Sequence, residues 1–138
     1  MRYETPERLE RLQTGMQILK EELAPASNRI HADDLAKVCV TAMFHSPANE
    51  IFNVADGNPS SMSDYFKKVA IAFNLPEPEE VSWEYAEKYF SAGMLSYLRE
   101  SKKISIKKLT SILPVDFDYP TLNLGLQQCL EQQNKQLI

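Results

Sequence analysis

The chain has 138 residues, of which 43% are hydrophobic and 25% charged, a length and composition typical of one globular domain. Its formal net charge of -4 gives no general attraction to nucleic-acid phosphates or to an anionic membrane, so neither partner is expected. No apolar run approaches the roughly 20 residues that span a bilayer, and the amino terminus has no apolar signal core, which predicts a cytoplasmic protein.

The first third of the sequence predicts two helices separated by short strands. Pro6 suits the first turn of a helix, where its missing N–H has no intrahelical partner, and apolar residues then recur at helical spacing. Strands are predicted at residues 17–19 and, after a polar loop, at residues 29–31. The next helix is expected to begin with Asp33 or Asp34 as its N-cap, because a carboxylate accepts unpaired N–H groups and meets the positive end of the helix dipole.

The second helix and the two cysteines are expected to contribute to the core. The apolar pattern of this helix predicts one buried stripe, formed by Leu35, Val38, Cys39, Ala42 and Met43. Cys39 and Cys129 stand in apolar helical patterns and lack the close spacing of a zinc site or a redox pair. We therefore expect both to be core thiols, and no residue is assigned to a metal.

The middle and carboxy-terminal parts of the chain predict a further strand and several helices. Residues 50–54 are rich in strand-forming types between turn residues, which predicts a mostly buried strand. Serines before residue 64 can cap a helix that stops ahead of two prolines, which mark a linker or subdomain edge near residues 75–80. The remaining predictions are helices at 83–90, 94–98 and 106–113, a strand at 103–106, and a terminal helix opened by Pro120 whose residues 131–138 fray.

The whole pattern predicts a mixed α/β, helix-rich fold, with residues 1–138 as one domain or fragment. Aromatic residues at helical spacing are more often core, although a cleft could be lined by Tyr65, Phe66, Tyr85, Tyr89, Phe90 and Tyr97. His31 with Asp33 and Asp34 has the residue types of an acid–base or metal site. Helix capping alone explains carboxylates at a strand-to-helix junction, so we favour a structural role for them.

Motifs for catalysis are missing from the sequence. Dinucleotide binding needs a glycine-rich turn that lets the pyrophosphate approach the backbone at a helix N-terminus, and the 4 glycines are not closely spaced. No tyrosine has a lysine four residues later, the arrangement that lowers the pKa of a phenol for proton transfer. Gly-x-Ser-x-Gly and phosphate-loop motifs are also absent, so we assign no catalytic and no cofactor-binding residue.

Two motifs resemble the second half of the extended short-chain dehydrogenases/reductases, the NAD-dependent epimerase/dehydratase family. They are NRIHADDLA at residues 28–36 and IFNVADG at residues 51–57. In that family an Ile-His-Val-x-Asp-Leu-Ala pattern leads from a strand into a helix, and a Tyr-Asn-Val-x-x-Gly strand follows. SKKIS at 101–105 and YPT at 119–121 are similar to the tail of its nucleoside-diphosphate-sugar epimerase branch, so the likeness extends over nearly the entire chain.

The resemblance implies the carboxy-terminal, substrate-binding portion of an extended Rossmann-type fold, with few short strands and without the nucleotide-binding half. The catalytic residues and the glycine-rich loop would then lie upstream of Met1. It follows that NAD(P) is implied for a full-length parent and that this chain alone binds no cofactor.

The resemblance also assigns roles to individual positions. Structural positions of the motifs are matched by His31, Asp34, Asn53 and Gly57. Asn28 and Arg29 are candidate substrate-binding residues, because they flank strand ends where α/β clefts form. Ser27 stands where many nucleotide-sugar members have an arginine, and this departure argues against a nucleotide-diphosphate ligand.

Three functional hypotheses follow. The first is a substrate-binding portion that takes a small molecule and works with an N-terminal Rossmann half. The second is a non-catalytic module of the same fold that forms a homodimer or holds a partner, because an apolar strand such as 51–54 expects neighbours on its faces and edges. The third, a small free-standing enzyme that uses His31 with Asp33 or Asp34, is the least favoured.

Overall fold

The computed structural model describes residues 6–136, and its fold is mixed α/β and helix-rich. Its elements are α1 (Pro6–Gln13), β1 (Gln17–Leu19), β2 (Ala26–Ser27), α2 (Ala32–His45), β3 (Ser60–Ser61), α3 (Met62–Ala72), β4 (Glu79–Val81), α4 (Trp83–Tyr89), α5 (Ala92–Leu98), α6 (Lys107–Ile112) and α7 (Leu122–Gln136). A 3-10 turn at Glu21–Leu23 connects β1 to β2.

The strands form two separate pairs within the described residues. β1 runs parallel to β4, with Ile18 opposite Glu80, and β2 runs antiparallel to β3, with Ala26 opposite Ser61. A parallel pair needs a long crossover connection, and the chain between β1 and β4 supplies it through α2 and α3. β4 was not predicted, and it begins directly after Pro78, within the predicted linker or subdomain edge near residues 75–80.

The apolar core of the described residues has two parts. The first, between α1, α3 and α7, is formed by Leu12, Tyr65, Val69, Ala70, Leu122, Leu126 and Cys129. The second, between α2 and α6, is formed by Val38, Leu109 and Leu113. Each fully buried leucine of these clusters contributes roughly 1.5–3 kcal/mol to folding.

Most predicted helices are confirmed because their spacing and caps are local signals. The serine caps predicted for α3 are represented by Ser61, whose side chain accepts the N–H of Asp64 at 2.9 Å. The helices predicted at 83–90, 94–98 and 106–113 are present with small shifts of their ends. The terminal helix, whose residues 131–138 are predicted to fray, extends as α7 to Gln136, while 137–138 lie outside the described residues.

The start of α2 differs from the prediction. The N-cap is His31, whose imidazole Nδ1 accepts the backbone N–H of Asp33 at 3.2 Å, so neither aspartate is the cap. Asp34 instead lies in the first turn, fully buried, and accepts the N–H groups of Asp118 and Tyr119 at 2.8 and 2.9 Å. A cap position needs a side chain that reaches the next N–H groups, and an imidazole nitrogen provides that acceptor as a carboxylate does.

Three strand predictions are wrong. Residues 29–31 are not a strand, because only one backbone bond, from Asp56 N–H to Arg29 C=O at 2.7 Å, joins them to the nearest extended segment. The side-chain amide of Asn28 donates to Lys102 C=O and accepts from Ile104 N–H, so it occupies backbone groups that a strand at 29–31 would otherwise pair with. Residues 50–54 and 103–106 also lack strand partners in the part of the chain that the structure describes.

The predicted stripe of α2 is wrong for three of its five residues. Val38 is buried and Ala42 is half-buried, whereas Leu35, Cys39 and Met43 are exposed. The side of α2 that packs on the core also carries Asp34, so the apolar pattern indicated the wrong face. Cys39 is therefore not a core thiol, while Cys129 is buried as predicted.

Candidate functional site

The structure separates the two predicted substrate-binding residues. Asn28 lines a cavity of about 220 Å³ together with Ser27 and Lys102. Arg29 lines a different cavity of about 420 Å³, near Ser60 and Lys68. The two side chains therefore do not converge on one ligand position.

Both side chains also have structural partners. The amide of Asn28 is bonded at both ends, to Lys102 C=O at 2.8 Å and to Ile104 N–H at 3.0 Å. The Nη1 of Arg29 donates to Ser60 Oγ at 2.6 Å, and its guanidinium carbon lies 5.3 Å from the centroid of the Tyr65 ring. Such contacts fix these side chains against the fold, since a ligand would have to compete with bonds already made.

The charge balance around Arg29 is close to neutral. The Nη2 of Arg29 and the Oδ2 of Asp56 are buried and have no hydrogen-bond partner among the described residues. Burial raises the pKa of Asp56, while the bond from Asn58 N–H and the charge of Arg29 oppose that rise. Asp64 bonds Lys68 at 2.9 Å, and Lys68, Ser60 and Arg29 lower the pKa of Asp64 against the effect of its burial. The cationic groups of this cavity are therefore offset by nearby carboxylates.

The histidine and aspartate of the first motif connect α2 to α7. His31 is 4% exposed, its Nε2 lies 3.2 Å from Gln128 Oε1, and its ring centroid is 4.1 Å from that of Tyr119. Asp34 holds the backbone just before α7 through its two bonds. Because both residues are buried and make these contacts, they stabilise the junction between α2 and α7.

The two assigned residues of the second motif, Asn53 and Gly57, lie in different local environments. Asn53 is exposed, whereas Gly57 has φ of +82° in the turn that follows residue 54. The carboxylate of Asp56 accepts Asn58 N–H at 2.8 Å and closes this turn. Gly57 is needed there because a side chain at this φ is strained.

An apolar cleft of about 540 Å³ lies between α1, β1, α3 and α5. Its walls are formed by Arg11, Ile18, Leu19, Met62, Ser63, Phe66, Phe90, Ser91, Gly93, Met94, Tyr97 and Leu98. Small-molecule sites are typically concave, about 300–1,000 Å³ and lined mostly by apolar and aromatic side chains with a few polar groups. By volume and lining, this cleft has the properties of a ligand site.

The polar cavity beside Asn28 adjoins this cleft. Met62 and Tyr97 line both, and the Tyr97 hydroxyl donates to Met62 Sδ at 3.4 Å, so this pair stands at their boundary. Together, the cleft and the polar cavity form one concave region that is apolar over most of its length and has hydrogen-bonding groups at one end. Met side chains at such a boundary are adaptable, because they have several rotatable bonds and a polarizable sulfur.

The two serine hydroxyl groups that line the cleft form hydrogen bonds within the fold. Ser63 Oγ donates to Leu19 C=O at 2.6 Å, and Ser91 Oγ accepts Met94 N–H at 3.2 Å as the N-cap of α5. A nucleophile needs a neighbouring base that takes its proton, and neither serine has one among its bonding partners. Neither serine of the cleft therefore has the geometry of an activated nucleophile.

Sequence reasoning found only part of this cleft. Phe66, Phe90 and Tyr97 belong to the aromatic set that was considered as a cleft lining, but Arg11 and Gly93 carried no signal. The cleft is assembled from three separate stretches of the chain, residues 11–19, 62–66 and 90–98, and local spacing cannot indicate which of their faces meet.

A second apolar surface lies on the outward face of α2, formed by Leu35, Ala36, Cys39, Val40 and Met43. Val40 is 55% and Met43 79% exposed, and Ile51 in the following segment is 83% exposed. A helix that is apolar on both faces is typical of a position buried in a larger assembly. This face is therefore a candidate contact surface.

Residues 51–54 alternate between exposed and half-buried, a pattern typical of an extended segment, and pair with no strand among the described residues. Phe52 and Val54 pack towards the second core cluster, whereas Ile51 and Asn53 are exposed. Lys108 Nζ donates to Ile51 C=O at 2.9 Å, but the backbone groups of residues 52–54 form no backbone bond with any other described residue. An unpaired extended segment can accept a strand from another chain.

The described residues lack the arrangements typical of dinucleotide and metal sites. The residues do not fit a dinucleotide, because the left-handed glycines at 15 and 57 lie in separate turns and no glycine-rich turn opens a helix. No group of three or more His, Cys, Asp or Glu side chains among residues 6–136 is arranged to hold a metal ion. No helix within those residues has the length and apolar character to cross a membrane.

Comparison with known proteins establishes the fold alone. No family model and no curated protein matches the chain. The chain is similar to a solved structure described as a functionally unknown conserved protein from Silicibacter pomeroyi DSS, with 24% identity and a TM-score of 0.77. The match covers 88% of this chain and 43% of that protein, so more than half of the similar protein lies outside the shared fold.

Proposed function

We propose that the chain is the substrate-binding portion of an NAD(P)-dependent epimerase/dehydratase-like protein of the short-chain dehydrogenase/reductase type, and that it is cytoplasmic and not catalytic alone. The observation that carries the proposal is the apolar cleft of about 540 Å³ with its adjoining polar cavity. A small-molecule substrate occupies the cleft. The hydroxyls of Ser63 and Ser91 are engaged in the fold, so the reacting groups and the cofactor come from another body.

The second support for this proposal is the unpartnered surface around α2. The outward face of α2 is apolar, and the backbone of residues 52–54 is unpaired in the described part of the chain. An NAD(P)-binding Rossmann half offers both an apolar flank and a sheet edge that these features could complete. The length of the similar solved protein is consistent with such an additional body, since 43% of that protein is matched.

The test is the coding sequence in frame upstream of Met1, followed by a binding measurement. We expect a strand followed by Gly-x-x-Gly-x-x-Gly and a Tyr-x-x-x-Lys pair, and we expect the longer chain to bind NADH or NADPH in a fluorescence titration. A longer chain that binds neither cofactor would contradict the proposal. Absence of both motifs upstream, together with no copurifying nucleotide-binding chain, would also contradict it.

A homodimerisation module is the second candidate function, and the exposure of Val40 and Met43 on α2 favours it. A second copy could cover this face without any cofactor-binding half. Light scattering after gel filtration separates the two candidates. A stable dimer that is lost on Met43→Lys supports the module, whereas a monomer at micromolar concentration removes it.

A further inference from the structure

Among the charged groups on the cleft and its adjoining cavity, Arg11 stands out because no carboxylate of the described residues lies within salt-bridge distance of it. Lys102 bonds Glu100 at 2.7 Å, so that cation is already matched. Arg11 lines the apolar cleft and forms no salt bridge with another described residue. Arg11 is an exposed residue in the last turn of α1, so a ligand in the cleft can approach its side chain.

The other residues that line the cleft indicate what kind of ligand can bind beside the positive charge of Arg11. Phe66, Phe90, Met94 and Leu98 offer apolar and aromatic contacts on several sides. A nucleoside diphosphate would need cations or a glycine-rich turn for its pyrophosphate, and one arginine among apolar walls does not supply them. A single carboxylate, in contrast, matches the planar fork of one guanidinium.

We propose that the cleft binds a carboxylate with an extended apolar body, the carboxylate on Arg11 and the body between α3 and α5. This inference rests on the proposed function, since it names the substrate class of the same cleft. It departs from the sugar-nucleotide class because it requires one negative charge and a largely apolar remainder.

The methionines allow a direct test on the chain alone. Met62 and Met94 line the cleft, whereas Met43 is 79% exposed on α2 and serves as an internal control. Decanoate, 1-decanol and UDP are the probes, each added below its aggregation limit to protein labelled with ¹³C at the methionine methyl groups. We expect decanoate to shift the Met62 and Met94 signals in a saturable way and to leave Met43 unchanged.

Two variants assign the binding to the cleft and to its charge. Arg11→Gln should weaken decanoate at least tenfold and leave 1-decanol almost unchanged, and Arg99→Gln, outside the cleft and paired with Glu87, is the matched control. Gly93→Phe should block both probes, because an added Cβ at Gly93 meets no atom within 4 Å and the larger side chain can turn into the cleft. Circular dichroism and urea unfolding show that each variant is folded.

The outcomes are decisive. Saturable shifts at Met62 and Met94 that depend on Arg11 support the proposal. Equal affinity of wild type and Arg11→Gln for decanoate, tighter binding of UDP, or shifts that include Met43 equally would overturn it. The measurement uses no cofactor, so its failure is distinct from failure of the NAD(P) titration, which tests the proposed function.

Discussion

Replacing Asp34 with asparagine tests the strongest architectural inference from this fold. The carboxylate of Asp34 is 0% exposed, and its two oxygens accept N–H groups from Asp118 and Tyr119 at 2.8 and 2.9 Å. Asparagine keeps the shape and one acceptor oxygen, but its NH₂ group faces the second N–H. The variant therefore loses one charge-assisted bond and leaves a buried donor unpaired.

The magnitude follows from these two losses. A hydrogen bond to a charged group contributes about 1.5–3 kcal/mol, and an unpaired buried donor costs about 1–3 kcal/mol. Because the two effects share one site, we expect Asp34→Asn to lower the free energy of unfolding by about 2–4 kcal/mol, a large fraction of the roughly 5–15 kcal/mol of a typical domain. With a slope of about 2 kcal/mol per molar urea, the midpoint should fall by about 1–2 M.

The assay is urea unfolding followed by circular dichroism, with Asp33→Asn as the control. The Asp33 side chain is 61% exposed on the same helical turn, so its loss should cost no more than the roughly 0.3–1 kcal/mol of a charge at a helix N-terminus. An Asp34→Asn variant that is no less stable than Asp33→Asn would refute the reasoning. It would mean that the junction between α2 and α7 does not depend on these bonds.

Three further predictions concern the turn after residue 54 and the exposed helix face. Gly57→Ala should lower the free energy of unfolding by about 1–2 kcal/mol in urea unfolding. The reason is that φ is +82° at Gly57 and the added Cβ would lie 2.9 Å from Ile106 Cδ1. The control is Gly93→Ala, which should be neutral or slightly stabilising because the space around its Cβ is open. Burial raises the pKa of Asp56 above its ordinary 3.8. The protonated carboxyl of Asp56 therefore contributes fully to stability below pH 3.8, and this contribution is lost as pH rises through the folded pKa. Asp56→Asn should remove this loss, and parallel unfolding curves for both proteins from about pH 3 to pH 7 would contradict it. Met43→Lys should change stability by less than about 0.5 kcal/mol in urea unfolding while reducing self-association measured by light scattering, and a large loss of stability would show that the face packs within the chain.

Local signals predicted the helices but not the junctions between them. Helical spacing and a serine cap depend on residues within one turn, so α3 could be placed from Ser61 and its neighbours. The start of α2 could not, because the preference for aspartate at an N-cap competes with the bonds that Asp34 makes to a segment more than eighty residues later. The same holds for Asn28, whose amide satisfies backbone groups that a strand at 29–31 would otherwise use.

The candidate site was predicted even less completely than the fold. The prediction of Asn28 and Arg29 rests on their position at strand ends, and in the structure they line different cavities. The aromatic residues were noticed as possible linings, but the cation of the cleft was not, because Arg11 lies on α1 and reaches the cleft only when α1 packs beside β1 and α5. Which charge remains unbalanced is a property of the folded chain and has no signature in sequence spacing.

The two faces of α2 connect the architecture to the proposed function. One face carries Val38 into the core with Leu109, and it is held there by the buried carboxylate of Asp34. The other face leaves Met43 79% exposed, although a fully buried methionine would contribute roughly 1.5–3 kcal/mol. Packing among the described residues explains only the first face. For the second face we propose that another body covers it, and the backbone of residues 52–54, which is unpaired among the described residues, is consistent with a strand supplied by that body.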